Sequence, residues 1–349
     1  MAPSSIEDCR LYVTSKVELQ SPPNIRHISI DLAVPHWEIS HHLRVACSAA
    51  TTQSLKVFTS DLYIDERALV SLFLRNLVSI LPSINHLAIH PLEEPLQIAL
   101  CQGYSSTLTH LTIHSAFSHT MTWNIIVFPH LEELNIIEDR SCALAQKDLG
   151  ALFVQYVRAP LLRRISLIGA TDIRLPTIFS VLSTFQSTIE EVRLLGNYLM
   201  YQSELLITEL PMLPRVTSIY FEGSLGSEVL PEDEWILQCL PNIRKIVFVS
   251  DWASMERGGY ELNWNRLQRC FEALVAADLR PTIVCGYRAV APIKRDIYLR
   301  FFVNSLFKAT NGWNITTLLE VEQEMCSPVY RTVLTGDEYK KRSIVRSRP

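Results

Sequence analysis

The sequence has little glycine, with 11 glycines against 18 prolines in 349 residues. It contains no GxGxxG, GxxxxGK[ST], GxSxG or HExxH motif, so no common nucleotide-binding, hydrolytic or zinc-protease site can be read from it. A formal net charge of -4 gives no global attraction to nucleic acid or to anionic membranes. No apolar run reaches the roughly 18 residues that a membrane-spanning helix needs. We therefore expect a protein that is not an enzyme, holds no cofactor or metal ion, and binds neither membranes nor nucleic acid.

The eight cysteines are scattered along the chain without a CxxC pair. Several lie in apolar segments, such as Cys239 in EWILQCLP and Cys270 in LQRCFEAL. This distribution favours reduced, mostly buried thiols over a zinc site or a disulfide framework. The N-terminal stretch MAPSSIEDCR lacks the apolar core of a secretory signal. We expect a cytoplasmic protein, with the nucleus as the alternative.

One short pattern recurs along the chain: apolar residues at the first, fourth and sixth of six positions. Clear copies begin at residues 25, 84, 108, 131, 162, 189, 216 and 243, and a degenerate copy, LKVFTS, begins at Leu55. The last three intervals are equal, at about 27 residues, a period typical of repeat proteins. Hydrophobic residues make up 48% of the chain. We expect each unit to contribute an apolar strand face and an apolar helix face, which are buried when neighbouring units stack on one another.

Proline marks the approach to most copies, two residues before the first position. It occupies this place as Pro23, Pro82, Pro129, Pro160, Pro214 and Pro241. Because proline cannot continue a helix and favours an extended preceding residue, we expect it to end each helix and to start each strand. Helical periodicity predicts helices between the copies, at 65–81, 147–159, 176–185, 234–240 and 265–277, and a terminal strand is expected at 282–285.

The pattern resembles the leucine-rich repeat, LxxLxLxxN/C, over about residues 25–250, although only Asn197 supplies the asparagine of the ninth position. The resemblance implies an α/β fold, a leucine-rich-repeat solenoid or horseshoe of irregular repeats. Its parallel β-sheet would line the concave face and its helices the convex face. We expect an N-terminal lead-in or cap at 1–24, the solenoid at 25–286, and a C-terminal helical cap with a basic tail at 287–349.

The irregular spacing and the proline lead-in resemble the C-terminal repeat region of fungal F-box proteins, particularly those of mushrooms. In that family the repeats hold a target, and an N-terminal F-box recruits a cullin-type ubiquitin ligase. Residues 1–24 show no F-box pattern, so the resemblance implies a cullin-ligase adaptor as partner only with an F-box upstream. We expect a non-enzymatic protein–protein interaction module. It would be the substrate-recognition part of an F-box-type ubiquitin ligase or, alternatively, a stand-alone repeat scaffold or inhibitor.

Four histidines should meet on the concave face, where the partner is expected to bind. His86 and His110 occupy the third position of adjacent copies, and His90 and His114 occupy the seventh. Adjacent strands lie about 4.8 Å apart, so these side chains should form one patch. Such a patch could be a solvated polar face or a partner contact, a site of pH-sensitive binding, or a metal site. We expect no carboxylate or thiol beside the imidazoles.

An apolar stripe should follow further along the same face. Ile137, Ile168, Leu195 and Val249 occupy the seventh position of their copies, and Tyr220 occupies the fifth. An exposed apolar stripe with an aromatic residue is typical of a protein-binding surface. The alternative is that a neighbouring loop or the C-terminal tail covers it.

Charged pairs of opposite sign alternate at the second and third positions of three consecutive copies. They are Glu132–Glu133, Arg163–Arg164 and Glu190–Glu191. Taken alone, paired glutamates could indicate acid/base catalysis. In register, each carboxylate lies beside a guanidinium, and a cross-strand ion ladder is the better interpretation, with a partner contact as the alternative.

Overall fold

The computed structural model describes the chain in short stretches, and it divides the chain into two compact units. The described residues are 9–13, 25–31, 52–58, 76–89, 94–115, 124–138, 154–169, 181–196, 211–222, 235–250, 272–274, 276–279, 281–287 and 315–317. The first unit comprises residues 1–198 and 207–215, and the second comprises residues 199–206 and 216–349. This division falls inside the predicted solenoid, and the spacing of the copies gives no sign of it.

The protein is an α/β protein built on parallel strands. The strands of the first unit are β1 (Cys9–Val13), β2 (Ile25–Asp31), β3 (Ser54–Phe58), β4 (His86–Ile89), β5 (His110–Ser115), β6 (Ile126–Val127), β7 (Glu133–Glu138), β8 (Val157–Arg158), β9 (Arg164–Gly169) and β10 (Glu191–Gly196). Within this unit the main sheet has the order β1-β2-β3-β4-β5-β7-β9-β10, and β6 pairs with β8 in a separate small sheet. The strands of the second unit are β11 (Ser218–Glu222), β12 (Lys245–Ser250), β13 (Thr282–Tyr287) and β14 (Ile315–Thr317), paired in that order.

Helical segments lie between the strands, as the periodicity predicts. They include α1 (Glu94–Tyr104) and α2 (Trp235–Cys239), of which α2 lies inside the predicted helix 234–240. Further helical stretches cover 76–80, 181–184 and 272–274, inside the predicted helices 65–81, 176–185 and 265–277. The prediction for 147–159 is wrong at its end, because β8 pairs there with β6 and extends the backbone. Helix α1 was not predicted from the sequence.

The apolar positions of the repeat align across the strands and form the core. Leu87, Leu111 and Leu134 are partners in consecutive parallel strands, and all three are buried. The sixth positions behave in the same way, as Ile89, Ile113 and Ile136 show. Side chains two residues apart on a strand point to the same face, so this alignment gives one continuous apolar layer. The prediction that the clear copies form strands in a common register is confirmed within each unit.

Backbone hydrogen bonds fix the register at the second position of each copy. The carbonyl of Thr109 accepts the amides of Glu132 and Glu133, at 2.8 and 3.1 Å. The carbonyl of Gln53 accepts the amides of Asn85 and His86 in the same way. Gln53 is therefore a second position, so the degenerate copy begins at Thr52. The sequence-based start at Leu55 is wrong, because polar Thr52 occupies the apolar place.

Three of the recurring prolines occupy the second residue of a tight turn before a strand. In three copies the first repeat residue donates its amide to the carbonyl three residues earlier: Leu131 to Phe128, Leu162 to Ala159, and Ile243 to Leu240. Pro129, Pro160 and Pro241 thus sit at the turn position for which the fixed proline φ is suited. The proline contributes by closing a turn, in addition to ending the helix.

Parallel pairing continues past both predicted limits of the repeat region. Strand β1 lies in the predicted lead-in and pairs with β2. Strand β14 lies in the predicted C-terminal cap and pairs with β13, which contains the predicted strand at 282–285. The basic tail lies outside the described residues.

Gly103 lies where α1 packs against the helical stretch 76–80. A Cβ atom at Gly103 would lie 2.5 Å from Cγ2 of Val78. Although alanine favours a helix over glycine by up to about 1 kcal/mol, we expect Gly103→Ala to lower the free energy of unfolding by about 1–3 kcal/mol, because the crowding costs more. Urea unfolding measures the change. In the Val78→Ala background the same substitution should cost nothing, and a stabilising Gly103→Ala in the wild-type background would contradict this packing.

Candidate protein-binding face

The third positions of the first unit form a row of polar side chains across the sheet. Its members, each in register with the next, are His27, Ser54, His86, His110, Glu133, Arg164 and Glu191. We refer to these residues as the polar row. They come from seven strands and meet only because the parallel register is kept from β2 to β10.

His86 and His110 lie face to face in the polar row. Their ring centroids are 4.0 Å apart and their planes are inclined by 35°. Burial, followed by the charge of His110, lowers the pKa of His86 from 6.5 to about 4, while Glu133 opposes the change. Burial also lowers the pKa of His110, against the opposing charge of Glu133. Both imidazoles are therefore neutral near pH 7.

Glu133 is the buried charge of the polar row, with 3% of its surface exposed. One of its oxygens, Oε2, lies 3.3 Å from Nε of Arg164 and 3.8 Å from Nε2 of His110. The other, Oε1, accepts a hydrogen bond of 3.0 Å from Nδ2 of Asn135. Burial of a carboxylate is tolerated because a cation and a donor compensate it.

The expectation that no carboxylate lies beside the histidines is wrong. Glu133 is the in-register partner of His110. The sequence contains the information that Glu133 lies beside His110, because residues 110 and 133 both occupy the third position of their copies. The sequence pattern places Glu133 in a charged pair with Glu132. The polar row shows that the histidines and the charged pairs belong to one network.

The ion ladder is confirmed, although it has two parts that differ in burial. Arg164 and Glu133 form the buried part. On the exposed part, Oε1 of Glu190 lies 4.0 Å from Nε of Arg163 and 3.4 Å from Nη2 of Arg215. Glu191 instead pairs within its own strand, where Nε of Arg193 donates to Oε1 at 2.6 Å. The exposed pairs of Glu190 contribute about 0–1 kcal/mol each, so we expect Glu133 to affect stability more than Glu190.

The structure brings together only part of the predicted histidine patch. His86 and His110 are in contact, whereas His90 lies outside the described residues. His114 lies in β5, in register with Ile137 of β7, and only its backbone is described. In the part of the chain that the structure describes, no group of three or more His, Cys, Asp or Glu side chains is placed to hold a metal ion.

The predicted apolar stripe is buried where its side chains are described. Ile137 is 6% exposed and Tyr220 is 3% exposed, so the expectation of an exposed stripe is wrong for these two residues. Ile168 pairs in register with Ile137 and with Leu195, and Val249 lies in β12, beside Glu222 of β11. For these three predicted residues, Ile168, Leu195 and Val249, the structure describes the backbone.

A second polar line runs along the fifth positions of the first unit. Thr112, Asn135 and Ser166 are in register on β5, β7 and β9, and all are buried. Nδ2 of Asn135 donates to Oγ1 of Thr112 at 3.3 Å. The Oδ1 atom of Asn135 and the Oγ atom of Ser166 have no hydrogen-bond partner in the described structure. This line adds polar groups to the interior beside Glu133.

Among the described residues of the first unit, four large apolar side chains are instead exposed, in segments between the strands of the main sheet. They are Ile125, Val127, Leu161 and Met212, with exposures of 46–59%. Val127 and Met212 hold the same place in their copies, four residues before Leu131 and Val216. The strand pattern does not identify these exposed residues. Alignment of the copies would have shown that Val127 and Met212 hold the same position.

Two thiols have the character expected of structural cysteines. Cys101 and Cys239 are buried, and neither forms a disulfide bond. Burial raises the pKa of the Cys101 thiol to about 12 and that of Cys239 to about 11. Both are protonated at neutral pH and are poor nucleophiles and metal ligands.

No family model and no curated protein matches this chain. The described residues include no helix that is both long and apolar enough to cross a membrane.

Two neighbouring glutamates offer a direct test of the polar row. We expect Glu133→Gln to lower the free energy of unfolding by about 1–3 kcal/mol, because it removes the charge between Arg164 and His110. Glu132→Gln, at an exposed position one residue earlier, is the matched control and should change stability by less than about 0.5 kcal/mol. Urea unfolding at pH 7.5 compares the two variants. Equal effects would mean that Glu133 does not hold the row.

Proposed function

We propose that this chain is a leucine-rich-repeat protein that acts as a non-enzymatic protein–protein interaction module. Support comes from the register: the same positions of successive copies align strand after strand in each unit. A stack of this kind presents repeated positions side by side, which suits recognition of an extended protein surface. A solenoid with its parallel sheet on the concave face and helices on the convex face is part of this proposal.

The exposed apolar residues between the strands of the main sheet are the observation that carries the proposal of protein binding. Val127 is 55% exposed and Met212 is 59% exposed, although each follows or precedes buried core residues. Charged groups lie among them, including Arg158, which is the in-register partner of Val127. Apolar side chains set among charges provide the anchors that protein interfaces use. We propose this surface as a binding site in addition to the exposed part of the polar row.

The ligase role is the more specific form of the proposal. It is supported by the resemblance of the repeat to fungal F-box proteins, and it makes the bound protein a ubiquitination substrate. The alternative is a stand-alone scaffold or inhibitor that binds its partner without a cullin-type ligase. Buried, reduced thiols such as Cys101 support a cytoplasmic or nuclear location.

Partner binding can be tested with charge substitutions on the exposed apolar residues. The full chain and its Val127→Lys and Met212→Lys variants are used as baits in cell extract, and retained proteins are identified by mass spectrometry. A specific partner is then purified and titrated against each bait. We expect each substitution to weaken binding by at least about tenfold, because a charge would be placed in an apolar contact.

Gln53→Lys provides the matched control, since it adds the same charge at another exposed position of the first unit. It should bind like the wild type, and all three variants should unfold at wild-type urea concentrations. Recovery of cullin and adaptor subunits with the partner supports the ligase role, whereas a partner without them supports the scaffold. A partner that binds all baits equally would contradict the proposed surface.

A further inference from the structure

The contact between His86 and His110 joins two neighbouring strands of the first unit. His86 lies on β4 and His110 on β5, and both are half-buried. With ring centroids 4.0 Å apart, the imidazoles pack as neutral aromatic groups. A proton on each ring would place two like charges in contact in a partly desolvated place, which is unfavourable.

Polar groups lie close to both ring nitrogens of His110. The carbonyl of Asn85 accepts the amides of Thr109 and His110, at 2.8 and 3.0 Å. It also accepts the Thr109 hydroxyl at 3.2 Å, and the same hydroxyl lies 2.8 Å from Nδ1 of His110. The other ring nitrogen, Nε2, lies 3.8 Å from Oε2 of Glu133.

A second proton on His110 would put charge on a half-buried ring that is in contact with the ring of His86. Glu133 favours the charged ring, while Arg164 on the far side of Glu133 opposes it. Other charged or titratable groups around the two histidines include His27 on β2, Lys56 on β3 and Glu132 next to Glu133. The same strands carry Asp31, His114 and Glu138, for which only the backbone is described.

We propose that His86 and His110 form an acid-sensitive latch between β4 and β5. In the neutral state the stacked rings hold the two strands together, and protonation releases them. The latch acts on the stability of the first unit and does not depend on the identity of a binding partner.

The direction of the pH effect follows from the direction in which folding shifts the pKa of each histidine. Burial lowers the pKa of both histidines, to about 4 for His86. In the unfolded chain a histidine titrates near 6.5, so the unfolded state binds more protons between pH 6.5 and about 4. The stabilisation is fully present above pH 6.5 and is lost as the pH falls towards about 4.

Urea unfolding of the full chain between pH 7.5 and 4.5 tests the latch. For the wild type, the unfolding constant should rise steeply below pH 6.5, by up to about tenfold per pH unit for each histidine. His86→Phe keeps an aromatic ring that takes no proton, so its rise between pH 6.5 and 4.5 should be about tenfold smaller. His130→Phe removes an imidazole in the turn before β7 and should keep the wild-type slope. Equal slopes for all three proteins would overturn the proposal.

Hydrogen exchange in the wild type gives a second measurement that needs no variant. Exchange rates are corrected for the intrinsic effect of pH and compared at pH 7.5 and 5. Protection should fall at the amides of 87–89 and 111–113, by at least about tenfold more than at 246–248 of β12. A uniform loss of protection in all three segments would overturn the latch, since it would indicate general acid destabilisation.

Discussion

The structure depends on the parallel register, which is fixed where one carbonyl accepts two amides of the next copy. The carbonyl of Glu132 binds the amides of Arg163 and Arg164, and that of Arg163 binds the amides of Glu190 and Glu191. A slip by one residue would turn every side chain of a strand to the opposite face. With the register fixed, leucine meets leucine in the core, and polar residues meet at the third position. Both the apolar layer and the polar row follow from this one constraint.

The polar row shows how a repeat can place charge in a nearly buried position. Glu133 loses most of its contact with water, and it is compensated by Arg164 on one neighbouring strand and by Asn135 on its own. His110 lies on the other side, within 3.8 Å of the same carboxylate. The row therefore links a titratable pair to a buried ion pair. Protonation of either histidine changes the electrostatic balance along several strands, because the local dielectric is low.

Single residues decide where prediction from the sequence succeeds. The strands, the common register and the pairing of Arg164 with Glu133 were predicted, because period and position suffice for them. The copy at Thr52 was misplaced, since a polar residue fills an apolar position. Helix was predicted over Val157, where pairing with Ile126 produces a strand. The sequence left open whether Ile137 and Tyr220 are exposed or covered, since exposure depends on surrounding chain that a repeat pattern does not specify.

The sequence by itself determined the repeating strand, the turn that proline closes before it, and the partners of each position in the next copy. These features are local or periodic, so they follow from residue type and spacing. Only the tertiary structure decided the burial of Glu133, the neutral stacking of His86 on His110, and the exposure of Val127 and Met212. Burial and pKa depend on all atoms within several ångströms, including those from distant parts of the chain, and no spacing rule contains that information.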